Sequence, residues 1–313
     1  MGSVQGPVLL ERWDGYWGEH PEFEEVSIQF ISSQEELAVL IHQKRLDVIS
    51  SVTSSYIRDH EPLESWRVTA FPVTATTYLG LNVAEPPLAD RRVRRAIDLA
   101  IDRPALVSVA FPEGLARPAR SLVSPAVFGF SPEHRRSGVD LDRARQLLRE
   151  SGVREGTPLR LEYAGLYDEV APLVQKALDQ IGLVAVPEEL PFETFYRRLE
   201  EAASQMFIFR WNFSVADASP FLDAIVHSRD PARGLGTLNG AALSDPVLDD
   251  AIELAAHESR SDVRLQRLQE VLQQVSDHYV YLPLYHPSVT TLIREPFILD
   301  NRQVRPQDVH LRR

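Results

Sequence analysis

The stretch TTYLGLNVAEPPLADRRVRRAIDLAIDRPALV, Thr76–Val107, decides how the chain is read. A strand-like run centred on Tyr78 turns at Pro86-Pro87 and enters a helix. The apolar positions of that helix, Val93, Ala96, Ile97, Ala100 and Ile101, recur at helical spacing. Asp90 stands where an N-cap belongs, because its short carboxylate satisfies amides that a first turn leaves unpaired. Arg91, Arg92, Arg94 and Arg95 then fall mostly on the solvated face. Asp102-Arg103-Pro104 restarts a second helix, proline being tolerated in a first turn.

On the N-terminal side, EVSIQFI (Glu25–Ile31) alternates as a half-buried strand does. SSQEELAVLIHQKR reads as a helix capped by Ser32 or Ser33, with Glu35 or Glu36 completing a capping box. LDVIS (Leu46–Ser50) is a short strand. This strand–helix–strand unit predicts a parallel pair joined by a crossover. On the C-terminal side, LDRARQLLRES is an amphipathic helix stopped by Gly152, followed by the strand LRLEYA and a helix closing at Gly182. LVAVPEE, MFIFRW and YVYLPLY read as further strands. FETFYRRLEEAAS, Pro246–His257 and Asp262–His278 read as helices. The order is that of an α/β fold with helices covering a mixed sheet.

Composition removes several functional classes. Against 33 basic side chains stand 45 acidic ones, a formal charge of -12, which argues against a nucleic-acid partner. The absence of cysteine excludes disulfides, thiolate nucleophiles and cysteine-ligated zinc. No run approaches the roughly 18 apolar residues that span a bilayer, and MGSVQGPVLLERWDGYWG lacks the basic-then-apolar order of a secretory leader. HExxH, GxSxG, GxxxxGK[ST] and GxGxxG are all missing, and GLGTLNG (Gly234–Gly240) has neither the spacing nor the preceding strand of a dinucleotide loop. His278 and His286 straddle a strand and do not share a helical turn. The expectation is a binding protein, not an enzyme, with no cofactor and no metal.

What stands out is a set of aromatic and polar residues at strand ends. Tyr78, Trp211 with Asn212, and Tyr285 with His286 occupy such places, where open α/β sheets bind small organic ligands.

Several of these stretches together resemble the dipeptide/oligopeptide-type extracellular solute-binding proteins of ABC importers. ERWDGYWGEHPEFEEVSIQFISSQEELAVLIHQKRLDVIS is similar to that family's Y-W-G, strand, helix, G-x-x-D passage, with Arg45 where glycine is commoner. YLGLNVAEPPLADRRVRRAIDLAIDRPALV, LDRARQLLRESG, MFIFRWNFSVADASPFL, ALSDPVLDDAIELA and YLPLYHP follow in family order. The resemblance implies a two-lobed, type II periplasmic-binding-protein-like α/β fold that closes on its solute by a hinge. One lobe, residues 74–286, is expected to be complete. The other, residues 1–73 with 287–313, is expected to be partial, and the arginine-rich helix is expected to scaffold the complete lobe. Partners implied are a small organic or peptide ligand and ABC permease subunits, with membrane association only through the permease. The localisation implied is periplasmic or extracytoplasmic. The alternative is a ligand-sensing module or a remnant without transport function.

Carried over by position, Tyr78 matches a cleft aromatic and Trp211 matches the tryptophan of a GW-x-x-D segment. The aspartate that in peptide-binding members pairs with the α-amine is replaced by Ser214. Asp217 aligns with a later acidic residue of structural role. Phe192 stands where some members line side-chain pockets with tryptophan. Arg210 replaces the common glycine before Trp211, a position that suits either an anionic ligand or an ion pair with a nearby carboxylate. The candidate ligand residues are therefore Tyr78, Phe192, Arg210, Trp211, Asn212, Ser214, Tyr285 and His286.

Overall fold

The computed structural model describes residues 6–18, 20–31, 33–50, 52, 56, 57, 65–112, 114–133, 138–167, 169–299 and 309–311. Its contacts divide the chain into two compact units, residues 1–71 with 288–313, and 72–287.

The larger unit is built on a mixed sheet. Strand β5 (Ala75–Leu81) lies between β9 (Met206–Asn212) and β10 (Tyr281–Arg294), antiparallel to both. β7 (Thr157–Tyr163) pairs in parallel with β9 and with β8 (Leu183–Glu189), and the short β6 (Ala116–Pro118) pairs with β10. Every residue of β5 is buried, as a central strand with both faces covered requires.

On one face Leu79, Leu81, Ile208, Leu282 and Leu284 meet four helices: α2 (Arg91–Ala100), α3 (Arg103–Ala110), α4 (Leu141–Ser151) and α5 (Ala171–Asp179). On the other, Tyr78, Phe207 and Tyr281 meet α6 (Phe192–Glu200), α7 (Pro246–Ala256) and α8 (Ser261–His278). The second face is aromatic and closely packed. A Cβ added at Gly80 would stand 2.1 Å from the Phe207 ring, so that strand position admits only glycine.

The Thr76–Val107 stretch folds as its pattern predicts, with one revision. Asp90 caps α2 by accepting from the Arg92 amide at 2.8 Å, and Asp102 caps α3 by accepting from Ala105 at 3.0 Å. Arg91 and Arg92 are exposed, but Arg94 is buried. Its guanidinium donates to the carbonyls of Leu88, Ala89 and His278, tying the Pro86-Pro87 corner and α2 to the end of α8. Arg94 falls on the buried side because its long stem reaches the carbonyls of Leu88, Ala89 and His278. The helix is scaffold.

The smaller unit holds β1 (Val8–Glu11) against β2 (Glu25–Ile28), and α1 (Gln34–His42) followed by β3 (Val48–Ser50). Ser33 is the cap that α1 uses, accepting from the Glu36 amide at 3.3 Å; Ser32 lies outside the described residues. The expected parallel crossover is corrected. β2 is antiparallel to β1, and β3 is antiparallel to the far part of β10, across Thr291–Ile293. YVYLPLY thus begins a 14-residue strand whose second half supplies the hydrogen-bonding edge that β3 takes.

β4 (Trp66–Pro72) leads into β5, and β11 (Phe297–Leu299) pairs with β12 (Val309–Leu311). Among the described residues no helix is long and apolar enough to cross a membrane.

Candidate functional site

The strand ends singled out in the sequence meet at one rim of the larger unit. Register alone builds it: Trp211 stands opposite Thr76, Arg210 opposite Thr77 and Asn212 opposite Ala75, while Tyr285 faces Thr77 from the other side. A register shift between Pro283 and Tyr285 re-aims the end of β10. Successive side chains alternate between the faces of a sheet. Arg210, Thr77 and Tyr285 therefore form a row on one face, and Trp211 and Thr76 belong to the other.

His286 joins this rim through two contacts of its Nδ1, with the Thr76 hydroxyl at 3.1 Å and the Ala75 carbonyl at 3.2 Å. Burial pushes its pKa down, partly offset by the Ala75 carbonyl. The imidazole is thus neutral near pH 7. A carbonyl only accepts, so Nδ1 carries the proton and Nε2 presents a lone pair.

Arg210 is half-buried between two tyrosines. The Tyr167 hydroxyl lies against its backbone amide, and both Tyr167 and Tyr285 sit within electrostatic reach of its guanidinium. Tyr285 is 4% exposed, its ring 4.7 Å from that of Phe111, and burial pushes its hydroxyl up to about 12. Both phenols therefore remain protonated donors. Among the described residues no carboxylate stands within ion-pair distance of Arg210. The carboxylate partner held open from sequence is not found there.

Beyond β9 the chain turns sharply. The Phe213 amide donates to the Thr74 carbonyl at 2.7 Å and the Ser214 amide to Asn212 at 3.1 Å, which leaves Asn212, Ser214 and Val215 exposed. Asp217 anchors the turn. Arg264 donates to both its oxygens, at 2.6 and 2.9 Å, and to the Ser219 hydroxyl. Burial opposes ionisation of Asp217, but the Arg264 bonds outweigh it and hold the carboxyl below its usual range.

Two sequence candidates sit elsewhere. Tyr78 is a core residue, not a cleft one: it is 1% exposed, and the rings of Phe207, Phe209, Phe221 and Tyr281 meet it edge-on. An aromatic in the central strand faces the second layer of helices, which strand position alone does not reveal. Phe192, at the start of α6, is exposed and packs on Tyr196; it shares no ring contact or hydrogen bond with the Arg210–Trp211 rim. Trp211 is half-buried against Phe221, and its buried indole N–H has no hydrogen-bond partner among the described residues. Tyr167, Thr76 and Thr77 stand at the same rim and were not picked out in the sequence reading. The threonines directly precede Tyr78 in a visible strand pattern, whereas Tyr167 arrives from the helical turn Gly165–Tyr167 and left no local signal.

Among the described residues no three histidine, cysteine or carboxylate side chains are grouped to hold a metal ion.

The family model for bacterial extracellular solute-binding proteins, family 5, matches residues 4–232. A di/tripeptide-binding protein of Pseudomonas aeruginosa is 28% identical over 218 residues, covering 68% of this chain and 40% of its own length. A glutathione-binding protein of Escherichia coli K12 is 25% identical over 281 residues, 86% of this chain and 54% of its own. The chain thus spans two fifths to about half the length of these curated relatives. In structure, a periplasmic binding protein of Helicobacter pylori in complex with the peptide STSA superposes with a TM-score of 0.83 at 19% identity. It covers 98% of this chain, which covers 61% of it. The fold is that of the type II periplasmic binding proteins.

Proposed function

The chain belongs to the bacterial extracellular solute-binding proteins, family 5, and from that premise we propose that it captures a peptide-like or other small organic solute for an ABC importer. Hinge closure over the solute and delivery to a permease outside the cytoplasm are parts of the same reading. The observation that carries it is the rim where β5, β9 and β10 end. There the Arg210 guanidinium, without an ion pair among the described residues, and the exposed Asn212 amide stand at the strand ends, with the Trp211 indole and the neutral His286 imidazole on the opposite face. Such a set recognises polar groups of a small molecule while an aromatic wall covers its carbon skeleton. It includes no nucleophile paired with a base.

Ser214 narrows the solute. A hydroxyl gives an α-ammonium no charge-assisted bond, and such a bond is worth roughly 1.5–3 kcal/mol. Free dipeptides are therefore expected to bind weakly, and Ser214→Asp to tighten them about 10- to 100-fold. Calorimetry with a dipeptide panel on both proteins, beside native mass spectrometry for a co-purified solute, tests this. Tight dipeptide binding that ignores Ser214→Asp means that the amine is held by another group. Failure of every small molecule to bind or co-purify removes the solute-binding reading.

A further inference from the structure

A buried ion pair reaches the strand that carries Tyr285 and His286. Asp98, near the end of α2, and Arg103, at the start of α3, are 2% and 4% exposed, and Arg103 donates to the Asp98 carboxylate at 2.5 Å. From the same guanidinium, Nε donates to the Pro283 carbonyl at 2.6 Å. Proline has no N–H, so this carbonyl is the only backbone polar group that Pro283 offers.

That carbonyl stands where β10 changes register. Tyr281, Leu282 and Pro283 pair with Gly80, Leu79 and Tyr78, but Tyr285 pairs with Thr77, so Leu284 is an extra residue. Leu284 and Tyr285 therefore both belong to the face that α2 to α5 cover, and His286 turns to Thr76 on the other. A strand continued without the extra residue would set Tyr285 opposite Thr76 and His286 opposite Ala75, exchanging their faces. We propose that Arg103 is a positioning residue for the rim. Its bond to the Pro283 carbonyl holds the bulge, and the bulge assigns Tyr285 to the side of Arg210 and His286 to the side of Trp211.

Burying an ion pair adds little net stability, since desolvation of both charges offsets their attraction, and the best-attested use of such groups is to fix a register. At the bulge the Ala119 amide takes the Leu284 carbonyl at 3.1 Å and Arg103 takes that of Pro283, so both residues at the irregularity are anchored by groups other than β5. Arg103 is itself held. Asp98 grips it, and its Nη1 meets the carbonyls of Asp98 at 3.5 Å and Ile101 at 3.4 Å, at the junction of two helices packed on the sheet. The bond thus comes from rigid scaffold and not from a loop. Arg103 acts through β10 without touching a solute, and the use made of the two faces rests on the solute-binding reading above.

The experiment is NMR of the solute-free protein with its histidines labelled with nitrogen-15. His286, assigned by the loss of its signals in His286→Gln, is expected in the unaltered protein as the Nδ1–H tautomer that the Ala75 carbonyl selects. Asp98→Asn/Arg103→Met removes both charges together and leaves the Pro283 carbonyl without its donor. Losing a bond to a charged group should move the balance of the two registers about 10- to 100-fold toward the straight strand. The expected signs are a second set of His286 signals, from the Nε2–H tautomer, and weakened contacts between the Tyr285 and Phe111 rings. Glu162→Gln/Arg198→Met removes another ion pair of the same unit, with its carboxylate buried, and should leave His286 unchanged.

A single His286 signal like that of the unaltered protein in Asp98→Asn/Arg103→Met overturns the proposal. So does the same change in Glu162→Gln/Arg198→Met, because general loosening of the sheet then accounts for it. Should the first variant not fold, Arg103→Lys decides. It keeps a cation beside Asp98 without the planar fork that spans two acceptors, and an unchanged His286 tautomer in it overturns the proposal. No solute enters these measurements, so failure to bind any small molecule removes the reading of the rim as a solute site and leaves the register result standing.

Discussion

The two units of this chain differ in how much of their large apolar surface they leave in water. The larger one sandwiches its sheet between two helical layers, and Tyr78, Leu79, Leu81, Phe207, Phe221, Tyr281 and Leu282 are all 1% exposed or less. The smaller one presents Leu9, Leu10, Trp13, Tyr16, Trp17, Ile28 and Phe30 to solvent, with Trp17 at 89% and Phe30 at 71%. Its β1–β2 ribbon has two strands, fewer than a sheet needs to be stable by itself. Both units carry large apolar side chains, and their burial differs. Stability follows the area removed from water, so the units should differ far more in energetics than in composition.

Hydrogen exchange offers the largest contrast. The β5 amides should open only with the whole larger unit, and those of β1 and β2 by local fraying. A gap of roughly 4 kcal/mol, or about a thousand-fold in exchange rate, is expected. Equal protection of the two ribbons would break the comparison.

A pair of truncations sharpens it. Phe207→Ala empties a fully buried ring site against Tyr78 and Gly80 and should cost about 3–5 kcal/mol. Trp17→Ala removes a larger ring that is mostly in water and should stay within about 0.5 kcal/mol. Urea unfolding of both variants is the measurement, and similar losses would show that Trp17 is covered in solution.

The smallest effect concerns pH and lies wholly inside the larger unit. His227 is buried, and burial alone would lower its pKa. The Ser228 carbonyl, Glu253 at 3.2 Å and Asp249 at 3.6 Å more than offset this, and its pKa is raised. A raised folded-state pKa adds stability that is complete below about 6.5, the unfolded value, and fades as pH rises through the folded value. Thermal melts at pH 6 and pH 8 should therefore show a modest loss at the higher pH, absent in His227→Gln. The same loss in both proteins assigns the effect to another group.

Local chemistry was read from sequence where the chain carries it locally. Asp90 caps the helix after it, Gly152 ends α4 in a left-handed conformation, and MFIFRW is a buried strand. The family and its α/β fold were legible in the same way, because their motifs are runs of neighbouring residues. Three things needed the tertiary structure.

The first is pairing. EVSIQFI and LDVIS were recognised as strands, but which edge each one takes depends on β1 and on the far half of β10, some 240 residues from β3. The second is the side of a helix or strand that is buried. Arg94 and Tyr78 were assigned to water and to a cleft, and both lie inside, since their environment is set by layers distant in sequence.

The third is Arg210. Sequence placed it beside Trp211 and left open whether a carboxylate neutralises it. Only the register that aligns it with Thr77 and Tyr285 shows a half-buried guanidinium without a carboxylate partner among the described residues. Helix caps and strand patterns are decided within a few residues by backbone hydrogen bonding. Burial and charge pairing are decided by which segments the fold brings together, and no short window of sequence contains that information.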